Sequence, residues 1–219
     1  MSILNSFELR PANVEDMDTV YKIRYKAYLR ADLIAPNPSK RFKDIYDASG
    51  SATTFVLSHR QKIIGTSRYV ADSQIGLLMD DEGLGPCLAT LRQTGRRIVE
   101  AGRLAIEPSY QNRSRELSLH LCLYTISYAS TIGYDDMVIL VFKHHHKFYE
   151  KVLMFETIAS DFITSYGPNM YGLRLNLKRL MQRYERNRTA RRFGLPDHIK
   201  AYQAMQLRKP SNSGSPICN

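Results

Sequence analysis

The chain has 219 residues, 43% of them hydrophobic and 24% charged, with a formal net charge of +10. This composition fits one globular domain, or a core plus an appendage, and excludes a disordered chain. No apolar run approaches the roughly 20 residues that cross a bilayer, residues 1–10 lack the basic-then-apolar pattern of a secretory leader, and Cys87, Cys122 and Cys218 are too dispersed for a zinc finger or a disulfide scaffold. The expectation is a reduced, cytoplasmic protein without stable membrane insertion.

Along the chain, Phe7-Glu8-Leu9-Arg10 alternates as a short strand that Pro11 ends. Asn13 is placed to cap a helix over 14–29, where Met17, Val20, Tyr21, Arg24, Tyr25 and Tyr28 recur at helical spacing. Residues 31–50 read as a loop. The β-branched runs 53–58 and 63–71 read as a hairpin about Arg60-Gln61-Lys62. There follow a helix over 84–95, a strand over 97–106 stopped by Pro108, a long apolar helix over 114–131 ended by Gly133, and a buried strand over 137–142. A short helix over 146–154 and strands over 155–165 and 170–177, joined at Gly167-Pro168, complete an α/β domain with a mixed sheet.

The charge is uneven. Residues 178–209 hold ten Lys and Arg against two Asp and Glu. Leu177, Leu180, Met181 and Tyr184 open an amphipathic helix there, Gly194 breaks it, and Pro196 is placed to start another. The organisation expected is a domain over 1–177, a basic helical extension over 178–209 and a disordered tail over 210–219. A local basic excess implies an acidic partner such as nucleic acid, an anionic membrane surface or an acidic protein, or else a solvated face that keeps the protein soluble.

The segment from Ile98 to Ile106 carries the chemistry. A strand at the centre of a sheet is almost wholly apolar, yet Glu100 and Arg103 interrupt this one. Positions three apart point to opposite faces unless a bulge intervenes, and Gly102 could host one. A carboxylate beside a guanidinium is either a buried ion pair or a base next to a charge that positions a substrate. Arg24 on the apolar face of the first helix, Arg68 within a strand, and Asp44 and Asp47 in the loop are the other charges that could join them. The consecutive His144, His145 and His146 point in different directions on a helix and have no carboxylate at ligand spacing, so no metal site is expected.

The ordered set of Arg24, Asp44, Asp47, Arg68 and then Glu100-x-x-Arg103-Leu104-Ala105-Ile106 resembles the acyl-homoserine-lactone synthases and the long-chain N-acyl amino acid synthases of the N-acyltyrosine type, within the GCN5-related N-acetyltransferase (GNAT) superfamily. Ile23-Arg24-Tyr25-Lys26-Ala27-Tyr28 is similar to the first-helix signature of these families, and the resemblance covers about residues 7–177. It implies a GNAT-like mixed sheet flanked by helices, and transfer of a long fatty acyl group from acyl carrier protein to an amino acid's amine.

In that scheme Glu100 takes the ammonium proton, weakened as a base by the neighbouring arginine. Backbone N–H groups around Leu104 and Ala105, beyond Arg103, meet the thioester oxygen, and Tyr149 protonates the departing thiolate. Arg24, Arg68 or Arg103 holds the acceptor's carboxylate, with Tyr28, Asp44 and Asp47 around it. The donor is acyl-phosphopantetheine, with no tightly bound cofactor.

Two departures refine the expectation. Ile34 stands near where the lactone synthases carry tryptophan, and the chain has no tryptophan, which favours the amino-acid branch. The superfamily's phosphate loop corresponds to Gln111-Asn112-Arg113-Ser114-Arg115-Glu116, without its glycines. A helix start flanked by Arg113 and Arg115 suits the single phosphate of phosphopantetheine better than coenzyme A. The competing readings are a signal-lactone synthase, a coenzyme-A-dependent acetyltransferase and, from another class, a non-catalytic basic module for nucleic acid or a carrier protein; nucleic acid is not the partner the resemblance implies.

Overall fold

In the computed structural model residues 6–207 are described, and they form one mixed seven-stranded sheet of order β1-β2-β3-β4-β5-β7-β6. The strands are β1 (Phe7–Pro11), β2 (Ala52–His59), β3 (Lys62–Ala71), β4 (Ile98–Ile106), β5 (Asp136–Phe142), β6 (Glu156–Thr164) and β7 (Gly167–Asn176). All neighbours are antiparallel except β4 and β5. The helices are α1 (Met17–Arg30), α2 (Gly85–Gln93), α3 (Ser114–Ile132), α4 (Lys143–Lys151), α5 (Leu180–Arg186), α6 (Arg188–Arg192) and α7 (Leu195–Leu207). This is the GNAT-like architecture expected, with a helical C-terminal extension.

Alternation along the strands divides the interior into two cores. On one face Val99, Tyr69, Met137 and Leu173 pack with Leu121, Tyr124 and Ile126 of α3. On the other Val70, Ile98 and Val138 pack with Leu84, Leu88 and Leu91 around α2. Each fully buried aliphatic side chain contributes about 1.5–3 kcal/mol. The α3 helix approaches closely at Gly65, where a Cβ would stand 2.8 Å from Ile106 Cδ1 and 3.1 Å from Leu121 Cδ1.

Local differences from expectation have local causes. The side chains of Asn13 and Asp16 accept each other's backbone N–H at 3.0 and 2.8 Å, so Asn13 closes a turn and α1 starts only at Met17. The hairpin turn holds Arg60 and Gln61 at positive φ, the shape that matches strand twist. The α4 helix starts at Lys143, directly after β5. Asp80–Leu84 forms a π-turn, with Gly83 at φ 90°, inside a stretch that the sequence reading passed over.

The extension is built from three helices. Tyr184, Ala190, Leu195, Ile199 and Tyr202 are buried in the same core as the sheet, so it is packed on the domain. Residues 208–209 of the expected extension and the expected tail over 210–219 lie outside the described residues.

Candidate active site

The β4–β5 pairing runs from Ile98–Asp136 to Ala101–Ile139 and stops, while β5 continues to Phe142. Past Ala101 the two strands part, and the gap opens onto a cavity on each face. The smaller, about 380 Å³, is lined by Ala101, Leu104, Cys122, Ile126, Tyr149 and Phe155 among others and is largely apolar. The larger, about 590 Å³, is lined by Glu100, Arg103, Tyr28, Leu78, Tyr166 and Met170 among others. Arg68, Ala101 and Gly102 line both, so the cavities meet across one strand.

Glu100 and Arg103 share the larger cavity because β4 carries a bulge. Thr66 pairs with Ala105 and Arg68 with Gly102, so Ser67 alone faces both Arg103 and Leu104. Arg103 takes the left-handed conformation, φ 53°, so the bulge sits on Arg103 and not on Gly102. The extra residue returns Arg103 to the Glu100 face, and Leu104 joins Val99 and Ala101 on the α3 face.

The charges form one network. Arg24 Nη1 donates to Asp47 at 2.7 Å and Nη2 to Thr54 at 3.3 Å. Arg68 grips Asp44 through both terminal nitrogens, at 2.6 and 3.0 Å, and pairs with Asp47 at 2.8 Å. Arg103 donates from Nε to Asp44 at 2.8 Å and from Nη1 to the Tyr166 hydroxyl at 2.8 Å. Burial alone would raise the Asp44 carboxyl; the bonds from Arg68 and the charge of Arg103 outweigh it and hold the group well below the usual carboxylate range.

Glu100 behaves differently from the expectation that its arginine neighbours weaken it as a base. Its Oε2 accepts the Met79 N–H at 2.9 Å, and neither Arg68 nor Arg103 bonds it. Desolvation dominates and pushes it up to about 7, against the Met79 bond and the charges of the two arginines, which pull the other way. The π-turn brings Met79 there, and nothing in the sequence reading pointed to it.

Arg24 is 0% exposed, and neither it nor Asp47 is among the residues lining either cavity; the pair braces Arg68 from beneath. Tyr28 lines the larger cavity and packs on Phe42 with ring centroids 4.9 Å apart. Ala105 is buried beside Gly65 and does not line the cavities. Tyr149 lies across the smaller cavity against Cys122; burial first, then Cys122, pushes its phenol well above 10, and burial pushes the Cys122 thiol up to about 12. Gln111 and Arg113 belong to a 3₁₀ turn that feeds α3 at Ser114, with Arg113 tied to Glu116 at 3.2 Å and Arg115 following. These residues stand at the start of α3, seven or more residues (about 10 Å or more) before the stretch that lines the smaller cavity.

His146 lies 3.2 Å from Glu150, and no group of three or more His, Cys, Asp and Glu that could hold a metal occurs among the described residues. No helix among them is long and apolar enough to cross a membrane.

The model of the family described as N-acyl amino acid synthase FeeM matches residues 19–176. The chain belongs to this family. The structure of FeeM itself, an N-acyl amino acid synthase from uncultured soil microbes, superposes with a TM-score of 0.72 at 20% identity, covering 84% of this chain and 97% of that one. BjaI, a CoA-dependent acyl-homoserine lactone synthase solved with MTA, gives 0.60 at 14% identity over 89% of each chain. LasI, an AHL synthase, gives 0.58 at 13% identity over 78% of this chain and 90% of that one. No match is found among curated proteins. The protein is therefore an acyltransferase on a GNAT-like fold.

Proposed function

We propose that the protein joins a long fatty acyl group, carried as a phosphopantetheine thioester on acyl carrier protein, to the amine of an amino acid in the cytoplasm. The observation that carries this reading is the pair of cavities meeting at Ala101–Gly102, one apolar and one charged. The acyl chain lies in the apolar cavity and the amino acid in the charged one. Arg24, Arg68 and Arg103 bring three positive charges and Asp44 and Asp47 two negative ones. The surplus suits a carboxylate, which Arg103 or Arg68 can grip bidentately, while the ammonium faces Glu100.

Glu100 removes a proton from the ammonium, the freed nitrogen attacks the thioester carbon, the C–S bond breaks as the thiolate takes a proton from Tyr149, and the second proton of the attacking nitrogen leaves to return Tyr149 to its phenol. Beyond Ala101 the β4 edge facing β5 has no strand partner, leaving the backbone near Leu104 to receive the carbonyl oxygen. Burial brings Glu100 to about 7, close to the amine's value near 8, where proton transfer between them is efficient. The high value of Tyr149 keeps its proton available at neutral pH. Tyr149→Phe is expected to slow turnover by about 10- to 100-fold. A thioester of a more acidic thiol, whose thiolate needs no proton, should restore it; no recovery would remove Tyr149 from the proton path.

The carrier docks on the basic end of α3. His120 packs on His198 and Tyr202, and Tyr124 packs on Tyr202, so α7 runs alongside α3 in the same direction. That register supports placing α6, with exposed Arg191 and Arg192, toward the end of α3 that bears Arg113 and Arg115. Reversing Arg191 and Arg192 to glutamate should raise the KM of a carrier-borne donor about tenfold at low salt and less at high salt, leaving an acyl-CoA donor unchanged. Equal effects on both donors would contradict the docking surface.

The direct test offers the protein acyl carrier protein and acyl-CoA thioesters of several chain lengths with each of the twenty amino acids and weighs the products. An N-acyl amino acid made from the carrier-borne long chain supports the reading. Consumption of S-adenosylmethionine with release of methylthioadenosine would assign it to lactone synthesis instead.

A further inference from the structure

The turn joining β6 to β7 hangs over the larger cavity, with Tyr166 lining it and accepting the 2.8 Å hydrogen bond from Arg103. Yet β6 is the outermost strand, largely exposed, and its pairing with β7 slips in register three times. A ladder so interrupted holds its end weakly, so the turn needs another anchor. Glu82 supplies one. It is buried on the π-turn, its Oε2 accepts the Ser165 N–H at 2.7 Å, and its other oxygen accepts the Ser165 hydroxyl. Thr164 Oγ1 accepts the Tyr166 N–H at 3.1 Å, fixing the next residue to the same turn.

The π-turn is itself rigidly held. Arg92 donates to both oxygens of Asp80 at 2.7 Å and to both of Asp72 at 2.7 and 2.8 Å, and Asp80 accepts the Leu77 N–H at 2.9 Å. Met79, just before the π-turn, donates to Glu100. One braced segment thus holds the Glu100 carboxylate at one end and the hairpin turn at the other. No residue of the catalytic scheme explains why a buried carboxylate is spent on a distant serine.

We infer that Glu82 is a positioning residue: through Ser165 it latches the β6–β7 turn, so that Tyr166 closes the larger cavity and orients Arg103 toward the acceptor's carboxylate. Its kinetic consequence rests on the acyl-transfer reading, whereas the latch itself does not.

The test compares wild type with Glu82→Ala, Glu82→Gln and Ser165→Ala by amide hydrogen exchange and by steady-state kinetics. In Glu82→Ala the Ser165 and Tyr166 amides should exchange about tenfold faster or more, and the KM of the amine acceptor should rise about tenfold. The donor KM and kcat should stay within about twofold. Glu82→Gln, which can still accept the Ser165 N–H, should recover most of both. Ser165→Ala, which loses only the hydroxyl bond, should show a smaller change of the same kind and serves if Glu82→Ala does not fold. Unchanged exchange at the turn, or fast exchange with an unchanged acceptor KM, or a loss confined to kcat, would overturn the inference. If the wild type acylates no amine, the acyl-transfer reading falls, and the exchange result alone decides the latch.

Discussion

Glutamine in place of Glu100 is expected to cut kcat/KM by about a hundredfold or more while making the protein more stable at alkaline pH. The two effects share a cause. Burial shifts Glu100 from its ordinary 4.5 to about 7. Between those values the folded protein holds a proton that the unfolded chain has released, so stability falls as pH rises from about 4.5 to 7 and stays lowered above. At 1.36 kcal/mol per unit the loss at pH 8 is about 3 kcal/mol. Glutamine carries no charge to desolvate and can still accept the Met79 N–H, so it escapes that loss. The wild-type rate should climb with pH through about 7 as the carboxylate forms, and the variant should lack that limb. Denaturant melts at pH 5 and pH 8, set beside the pH profile, check both halves. A variant no more stable at pH 8 would show that Glu100 is solvated; an unchanged rate would remove it from the chemistry.

Removing Asp44 should do the reverse, costing fold and function together. Asp44 neutralises Arg68 and Arg103, whose side chains are 4% and 7% exposed. Asp44→Ala strands a buried guanidinium, a class of change worth about 3–5 kcal/mol; the 18% exposure of Asp44 itself puts it near the lower end. In a chain of this size that is a melting temperature lower by roughly 6–12 °C. Because the Asp44 carboxyl is held below its ordinary 3.8, its contribution is full above that value and is lost as pH falls through the depressed one. Wild type and variant should therefore differ most at neutral pH and converge in acid, as read by thermal melts across pH 2–7. A difference that grew in acid would contradict the pairing. With both arginines freed from their fixed geometry, acceptor affinity should also fall.

The sequence displayed what periodicity can carry. The α3 helix, the β2–β3 hairpin and the interrupted β4 strand were legible because burial imposes spacing on apolar residues. The charges at Arg24, Arg68, Glu100 and Arg103 stood out because they broke those patterns. Their division of labour did not, since Arg24 as an internal brace and Arg103 as a cavity residue differ only in what packs around them. Gly102 is a residue that could host the bulge, but Arg103 itself takes the left-handed turn, a choice made by tertiary contacts with Asp44 and Tyr166. The raised value of Glu100 comes from desolvation, which has no local signature. Tyr166, Glu82 and the π-turn escaped because they act from loops, where neither period applies; the Asp80-Asp81-Glu82-Gly83 run was their only trace.

The central claim is that one product threads the gap between β4 and β5, with its chain on the α3 face and its head group on the Glu100 face. A crystal structure with an N-acyl amino acid bound measures this directly. The account predicts the amide at Ala101–Gly102, the chain running past Cys122 and Ile126 toward Phe155, and the carboxylate within hydrogen-bonding distance of Arg103 or Arg68. A product lying wholly within one cavity, or with its carboxylate beside Tyr149 and its chain beside Glu100, would contradict it.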